Sequence, residues 1–226
     1  MKIIITENQY ELLKDKPKVY NFPSLDVFGY EEPMDNWNLM QKFLDKKGNP
    51  DFTIDGNLYL RDAPIESLGN LTSVGGHLDL CFTQIESLGN LTTVGGSLDL
   101  DDTPIKSIAN LTSVGGSLLL TKTPIESLRN LTTVGNDLYL DYSSIKSLGE
   151  LTSVGGSLYL EYSSIESLGN LTSVGGSLFL YNTPIESLGT LKSVGGHLDL
   201  RRTSLSEKYT EEEIRNQIEV KGDIYL

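Results

Sequence analysis

Cysteine, positive charge and long hydrophobic runs are all scarce in this sequence. Cys81 is the single cysteine among 226 residues, so no internal disulfide framework exists and a disulfide-free setting fits the chain. Lys and Arg number 18 against 31 Asp and Glu, a net charge of −13. This balance argues against nucleic acid as a partner, because phosphate binding needs clustered basic residues. No apolar run is long enough to span a bilayer, so we expect no membrane partner.

The first residues of the chain do not resemble a secretory signal. The apolar run in Lys2-Ile3-Ile4-Ile5 is too short for one, and the polar segment Glu7-Asn8-Gln9 follows at once. We therefore expect a protein that is not secreted by a signal peptide.

What the sequence does contain is one 20-residue stretch in several copies. Its cleanest copy, from Ser97 to Gly116, reads S-L-D-L-D-D-T-P-I-K-S-I-A-N-L-T-S-V-G-G, and the next copy starts at Ser117. A fixed period of this length is typical of a solenoid, in which a coil buries its apolar side only against its neighbours. The copies align on L-x-L pairs at Leu58/Leu60, Leu78/Leu80, Leu98/Leu100, Leu118/Leu120, Leu138/Leu140, Leu158/Leu160, Leu178/Leu180 and Leu198/Leu200, with a ninth pair at Ile224/Leu226.

Each coil is predicted to contain one short strand, a turn and an arc. Alternation in L-x-L buries both leucines and turns the middle residue outward. Pro104 has no amide hydrogen, so the strand must end there and the chain must turn. The pair Gly115-Gly116 permits a sharp corner into the next strand. The arc between them has apolar residues at every third position: Ile105, Ile108, Leu111 and Val114.

Two columns of small polar residues are predicted to bond backbone groups that lack a ladder partner. The first follows the strand and comprises Thr83, Thr103, Thr123, Ser143, Ser163, Thr183 and Thr203. The second comprises Asn70, Asn90, Asn110, Asn130 and Asn170.

The full pattern L-x-L-x-x-T-x-I-x-x-L-x-x-L-x-x-V resembles a leucine-rich repeat, with Thr where that family usually has Asn. The V-G-G-x-L-x-L corner resembles the coils of receptor L-domains. The chain departs from the family pattern at Gly75 and Gly95, where a Leu three residues before the L-x-L pair would be expected. The resemblance covers about 52–205 and 220–226. It implies a repeat solenoid, mainly β, whose leucine-rich-repeat-like coils form one parallel sheet.

Non-repeat segments at both ends are predicted to cap this solenoid. We expect an α/β N-terminal cap over 1–51, a solenoid of eight 20-residue coils over 52–205, and a capping helix with a final strand over 206–226. The N-terminal cap is predicted to have a strand at Lys2–Ile5, a helix that Thr6 opens and that ends near Lys14, and a second helix after Asp35. The apolar face of that second helix carries Trp37, Met40, Phe43 and Leu44.

Two N-terminal segments, M-K-I-I-I-T-E-N-Q-Y and W-N-L-M-Q-K-F-L-D-K-K-G-N-P, resemble proteins encoded by tailed bacteriophages when they precede such repeats. This resemblance implies a virus-encoded protein, structural or host-directed, in the host cytoplasm or in the virion.

Three positions of each strand vary freely while the rest of the repeat barely changes. They are the residue between the two leucines and the two residues after the pair, and all three are predicted to lie on one exposed face of the sheet. Clustered tyrosines are favoured in binding surfaces. The predicted partner-binding residues are Tyr59, Arg61, Asp79, Phe82, Asp99, Asp101, Asp102, Tyr139, Asp141, Tyr142, Tyr159, Glu161, Tyr162, Phe179, Tyr181 and Arg201.

We expect this face to bind a protein partner of unknown identity, with no catalysis, cofactor or metal. Drift is the competing interpretation, since aromatic residues also favour strands and stacked rings stabilise a ladder. One alternative function is a bacteriophage virion component that assembles with its neighbours. Another is a calcium-dependent carbohydrate-binding or lyase-type β-helix, because Asp99, Asp101 and Asp102 offer oxygen ligands. A further option is ice binding by the threonine column at Thr72, Thr92, Thr112, Thr132, Thr152 and Thr172.

Overall fold

The structure is a computed structural model that describes residues 19–22 and 33–226, with side chains from Trp37 onward in the first helix. The predicted strand at Lys2–Ile5 and the predicted helix through Lys14 lie outside the described residues.

Nineteen short strands, counted over the described residues, pair in parallel and form two sheets along a solenoid. We name them the front sheet and the rear sheet. The front sheet contains the L-x-L pairs: β3 (Leu58–Tyr59), β5 (Leu78–Asp79), β7 (Leu98–Asp99), β9 (Leu118–Leu119), β11 (Leu138–Tyr139), β13 (Leu158–Tyr159), β15 (Leu178–Phe179), β17 (Leu198–Asp199) and β19 (Ile224–Tyr225). The rear sheet contains β1 (Tyr20–Phe22), β2 (Phe52–Ile54), β4 (Leu71–Val74), β6 (Thr93–Val94), β8 (Ser113–Val114), β10 (Thr133–Val134), β12 (Ser153–Val154), β14 (Ser173–Val174), β16 (Ser193–Val194) and β18 (Glu219–Val220).

The prediction of a single parallel sheet is therefore wrong. From β6 to β16, each rear strand is formed by the Ser/Thr-Val pair that precedes the first glycine of the corner, in a part of the coil predicted to be an irregular arc. Leu111 and Val114 are both buried, and the spacing of three between them leaves Thr112 and Ser113 facing outward together. A two-residue strand next to two outward-facing residues does not alternate between apolar and polar residues. The alternation that identifies the front strands is therefore absent here.

The predicted core is confirmed, because the six apolar positions of the inner coils are buried, with Leu188 as the one partly buried exception. In the coil that starts at Leu98, the exposed fraction of every one of these side chains is 0–1 %. Strands pair with the same position one period later, as Leu98 does with Leu118 and Val94 with Val114. Leucine thus stacks on leucine along the rod, which is about 40 Å long at a strand spacing of about 4.8 Å.

The two predicted polar columns do bond to the backbone. The buried hydroxyl of Thr103 donates to the carbonyl of Leu100 at 2.6 Å, and the other threonines of that column do the same one coil apart. In the second column, the Asn110 amide donates to the carbonyl of Gly89 at 2.7 Å, in the preceding coil. Ser163 is an exception in the first column, because its buried hydroxyl has no hydrogen-bond partner among the described residues.

In its described residues, the N-terminal cap contains helix α1 (Pro33–Lys46) and strand β1. The predicted apolar face is confirmed for Trp37, Met40 and Leu44, which are buried against the first coil. Phe43 lies at the margin of this face, 41 % exposed, with its ring 5.7 Å from that of Tyr20 in an edge-on contact. Helix α1 thus covers the apolar end of the first coil, and β1 pairs with the edge of β2 in the rear sheet.

The C-terminal cap consists of two short helices where one was predicted: α2 (Ser204–Lys208) and α3 (Glu211–Arg215). The Thr210 hydroxyl caps α3 by accepting a hydrogen bond from the Glu213 amide. The Glu213 carboxylate accepts one from the Thr210 amide, and this pair of bonds forms a capping box. After the helices the chain adds one strand to each sheet, β18 and β19, so the predicted return to the stack is confirmed.

The first glycine of each Gly-Gly pair is required by contact between coils. A Cβ added at Gly135 would lie 1.9 Å from the carbonyl oxygen of Gly115, and the equivalent glycines show the same conflict at 2.0–2.2 Å. The sequence-based prediction that these glycines serve only to permit a sharp corner is therefore incomplete. The backbone of one coil also occupies the space that a side chain of the next coil would need. The neighbouring position tolerates a side chain, since Asn136 occupies it.

We predict that Gly135→Ala lowers the free energy of unfolding by about 1–3 kcal/mol or more, because the new methyl group must push two coils apart. The measurement is urea unfolding followed by circular dichroism. Asn136→Ala is the matched control, since that position already has a Cβ. Equal unfolding midpoints for the two variants would contradict the close-contact explanation.

Candidate binding face

The three variable positions of each coil form three columns on the outer side of the front sheet. The first column is the residue between the two leucines, the second is the residue after the pair, and the third is the next residue along. Hydrogen bonds between coils continue through all three, since the Leu100 amide donates to the Leu119 carbonyl and the Asp102 amide to the Thr121 carbonyl. The backbone that presents these side chains is therefore held on both sides.

Every residue of the third column adopts a left-handed backbone conformation. The φ angles lie between 54° and 61° at Asp62, Phe82, Asp102, Lys122, Tyr142, Tyr162, Asn182 and Arg202. This conformation costs an L-residue roughly 1–2 kcal/mol, and glycine adopts it freely. No coil has glycine there. The side chains at this turn are thus retained despite a backbone penalty.

Sequence reasoning missed a fourth column, which lies just before each front strand. Its side chain accepts a hydrogen bond from the backbone amide at the same position of the next coil, as Ser157 Oγ does from Ser177 N–H at 3.0 Å. We name it the acceptor column: Asn57, His77, Ser97, Ser117, Asp137, Ser157, Ser177 and His197. The sequence could have revealed this column, because Asn, His, Ser and Asp all offer a side-chain hydrogen-bond acceptor at the same position of the repeat.

Aromatic rings stack along the first and third columns in the C-terminal half of the face. The centroids of Tyr139 and Tyr159 are 4.6 Å apart with planes 3° from parallel, and Phe179 continues the stack at 5.0 Å. In the third column, the rings of Tyr142 and Tyr162 are 4.8 Å apart and 6° from parallel. These two tyrosines are 57 % and 43 % exposed, so this stack faces solvent.

Carboxylates fill the second column between these two stacks. Asp141 Oδ1 accepts a hydrogen bond from the Glu161 amide at 2.8 Å. Burial raises the pKa of Asp141 to about 6, although that hydrogen bond opposes the shift, and the charges of Glu161 and Asp101 raise it further. Burial also raises the pKa of Glu161. No Lys, Arg or His nitrogen in the described part of the chain lies within 4.0 Å of either carboxylate.

At the N-terminal end of the face, an arginine joins the acidic residues. Arg61 Nε lies 3.0 Å from Asp79 Oδ2, and its Nη2 lies 2.9 Å from Asp99 Oδ2, two coils away. Its guanidinium carbon is 5.9 Å from the centre of the Phe82 ring. Asp101 accepts a hydrogen bond from the Thr121 amide at 2.7 Å, and Asp102 is exposed. The negative charge of Asp79 and Asp99 is thus partly neutralised by Arg61 of the same chain.

An arginine also occupies the C-terminal end. Arg201 Nε donates to Asp199 Oδ1 at 2.9 Å, and its guanidinium lies 5.5 Å from each of the rings of Tyr181 and Tyr225. Both ends of the face therefore pair a guanidinium with a carboxylate and an aromatic ring of the same chain.

The structure brings the sixteen predicted residues together on one face, but exposure across the three columns is uneven. Tyr59, Phe82 and the two third-column tyrosines are more than 40 % exposed, whereas Tyr139, Tyr159 and Phe179 are half-buried by stacking. Two other variable residues expected on this exposed face, Cys81 and Asp199, are buried. Burial raises the pKa of the Cys81 thiol to about 11, and the thiolate required of a nucleophile is correspondingly rare.

No family model, curated protein or solved structure matches this chain. The two ladders of parallel strands establish a β-solenoid of 20-residue coils. The leucine-rich-repeat and bacteriophage resemblances remain predictions. Among residues 19–22 and 33–226, no three His, Cys, Asp or Glu side chains are grouped to hold a metal ion. None of the helices within those ranges is both long and apolar enough to cross a membrane.

We predict that Ser157→Ala speeds amide hydrogen exchange at Ser177 and destabilises the protein by about 1 kcal/mol, because the Ser177 amide loses its acceptor. Residue-resolved hydrogen exchange measures the first effect. Ser153→Ala, on the rear sheet of the same coil, serves as the control. Unchanged exchange at Ser177 would show that the acceptor column does not stabilise the ladder.

We predict that the wild-type protein loses stability as pH rises through about 6, because the raised pKa of Asp141 makes its ionised form costly in the folded state. The contribution is complete below the unfolded pKa of about 4 and is lost above the folded value. Asp141→Asn should flatten this dependence by up to about 1 kcal/mol, after allowance for solvent screening.

Urea midpoints measured from about pH 4 to pH 8 test this expectation for the wild type and the variant. Asp102→Asn removes an exposed carboxylate from the same face and is the control. A carboxyl NMR titration of Asp141 centred near its ordinary value of about 4 would refute it.

Proposed function

We propose that this chain is a non-catalytic binding module whose three variable columns dock a protein partner. The observation that carries the proposal is the stack of Tyr142 and Tyr162, which is solvent-facing, parallel, and built on left-handed residues. Contiguous exposed aromatic side chains mark interaction sites, and tyrosine supplies rigid contact area with a polar tip. The leucine-rich-repeat kinship, the bacteriophage origin and a location in host cytoplasm or virion are proposals that the sequence patterns alone support.

Drift explains this face less well than selection for binding does. A drifting position at φ near 57° would collect glycine, asparagine and aspartate, which tolerate that conformation. Three of the eight third-column residues are Asp or Asn, but the other five are Phe, Lys, Arg and two Tyr. Stacking does stabilise the half-buried rings of the first column. It does not account for a second, more exposed stack beside it.

We predict that replacing Tyr142, Tyr162 and Tyr181 by Ser abolishes capture of the partner while the solenoid remains folded, because these neighbouring rings form the exposed aromatic contact area. The measurement is affinity purification from a lysate of the native source, followed by direct binding of the recovered protein. Circular dichroism and thermal unfolding report the fold.

The control replaces Lys146, Glu166 and Glu186, which lie in the same three coils but outside the face, by Ser. Undiminished capture by the aromatic variant would reject the proposal. Sedimentation at several concentrations separates a lone binder from the alternative of a self-assembling virion component.

A further inference from the structure

The middle of the face has the same chemistry as its two ends but no arginine. At each end, a guanidinium of this chain lies against an aromatic ring and pairs with a carboxylate: Arg61 with Phe82 and Asp79, and Arg201 with Tyr181 and Asp199. The chain itself therefore shows which group this surface accommodates.

Between these ends, in the coils of β11 and β13, two aromatic stacks flank two carboxylates. Tyr139 and Tyr159 lie on one side, Tyr142 and Tyr162 on the other, and the Asp141–Glu161 pair lies in the column between them. Asp137 adds a third carboxylate, 3.4 Å from the Tyr139 hydroxyl.

Among the described residues, no Lys, Arg or His nitrogen lies within 4.0 Å of these central acids, although the more distant charge of Arg201 opposes the raised pKa of Glu161. Arg61 serves Asp79 and Asp99, and Arg201 serves Asp199. Two neighbouring carboxylates one strand spacing apart repel each other, and burial raises the energy of both ionised forms. A cation placed between the stacks would relieve this repulsion and would also meet the electron-rich faces of the rings.

From this complementarity, and resting on the proposed function, we propose that the partner presents an extended arginine-containing segment whose guanidinium groups lie between the two tyrosine stacks and pair with Asp141 and Glu161. Arginine suits the site better than lysine, because its planar guanidinium stacks on rings and binds carboxylates through two hydrogen bonds. Alternate side chains of an extended peptide are about 6.6 Å apart, so an Arg-x-Arg segment spans two adjacent coils.

The test uses the full chain and four fluorescently labelled peptides of alternating sequence: (Arg-Ser)3, (Lys-Ser)3, (citrulline-Ser)3 and (Glu-Ser)3. Fluorescence anisotropy at low ionic strength gives the affinities. We expect the arginine peptide to bind about tenfold more tightly than the lysine peptide, and the neutral and acidic peptides not to bind.

The paired variants Asp141→Asn/Glu161→Gln and Glu166→Gln/Glu186→Gln each remove two negative charges from neighbouring coils, the first on the face and the second outside it. We expect the first pair to weaken arginine-peptide binding about tenfold or more and the second to leave it unchanged. Equal weakening by both pairs, equal affinity for lysine, or no binding at about 1 mM peptide would each overturn the inference.

The outcomes for the two proposals are distinguishable. If the aromatic triple variant loses its partner but the arginine peptide does not bind, the docking face stands and the arginine inference fails. If sedimentation shows that the chain self-associates and that Asp141→Asn/Glu161→Gln prevents it, the occupant is a second copy and the inference is also overturned.

Discussion

The strands of this solenoid find their hydrogen-bond partners in nearly identical coils stacked in register. Both ladders repeat every 20 residues, and the glycines at the rear corner let adjacent backbones approach closely. Where the chain adds α2 and α3, the spacing grows to 26 residues in both sheets, as Val194 pairs with Val220 and Leu198 with Ile224. The insertion therefore enlarges one coil without shifting either ladder.

In-register stacking places like residues upon like, and this has opposite effects on rings and charges. Aromatic residues gain a stacking partner at every step, as Tyr139 and Tyr159 do. Charged residues meet their own sign unless the sequence alternates. On the arc, two lysines relieve this repulsion: Lys106 lies 2.8 Å from Glu86, and Lys146 lies 3.3 Å from Glu126. Like charges do remain adjacent there at Glu166 and Glu186, but those side chains are exposed. The adjacent carboxylates of the central face differ because they are half-buried.

The sequence predicted those features that depend on one coil alone. Period-two alternation identifies the front strands, and apolar spacing identifies the core, because each reports the direction of a side chain relative to its own backbone. The rear sheet was missed because a strand of two residues has no alternation. The requirement for glycine at position 135 was missed because it comes from close contact with the carbonyl oxygen of Gly115, twenty residues earlier.

The candidate site was predictable in position but not in its internal pairing. The variable columns could be read from comparison of the copies, since inward positions repeat and outward positions do not. The bridge from Arg61 to Asp99 joins residues 38 positions apart and depends on side-chain reach, which no periodicity encodes. The acceptor column was hidden because Asn, His, Ser and Asp look like variation, although each offers one atom that the next amide requires.

This division between repeated and variable positions follows from how the backbone is held. Third-column amides donate to the next coil, as the Asp102 N–H does to the Thr121 carbonyl. The outward carboxylates also serve the backbone, since Asp141 accepts a hydrogen bond from the Glu161 amide. The scaffold therefore accounts for part of the carboxylate pattern. It does not account for the exposed tyrosine stack of the third column beside those carboxylates, and we propose that recognition of a cationic partner does.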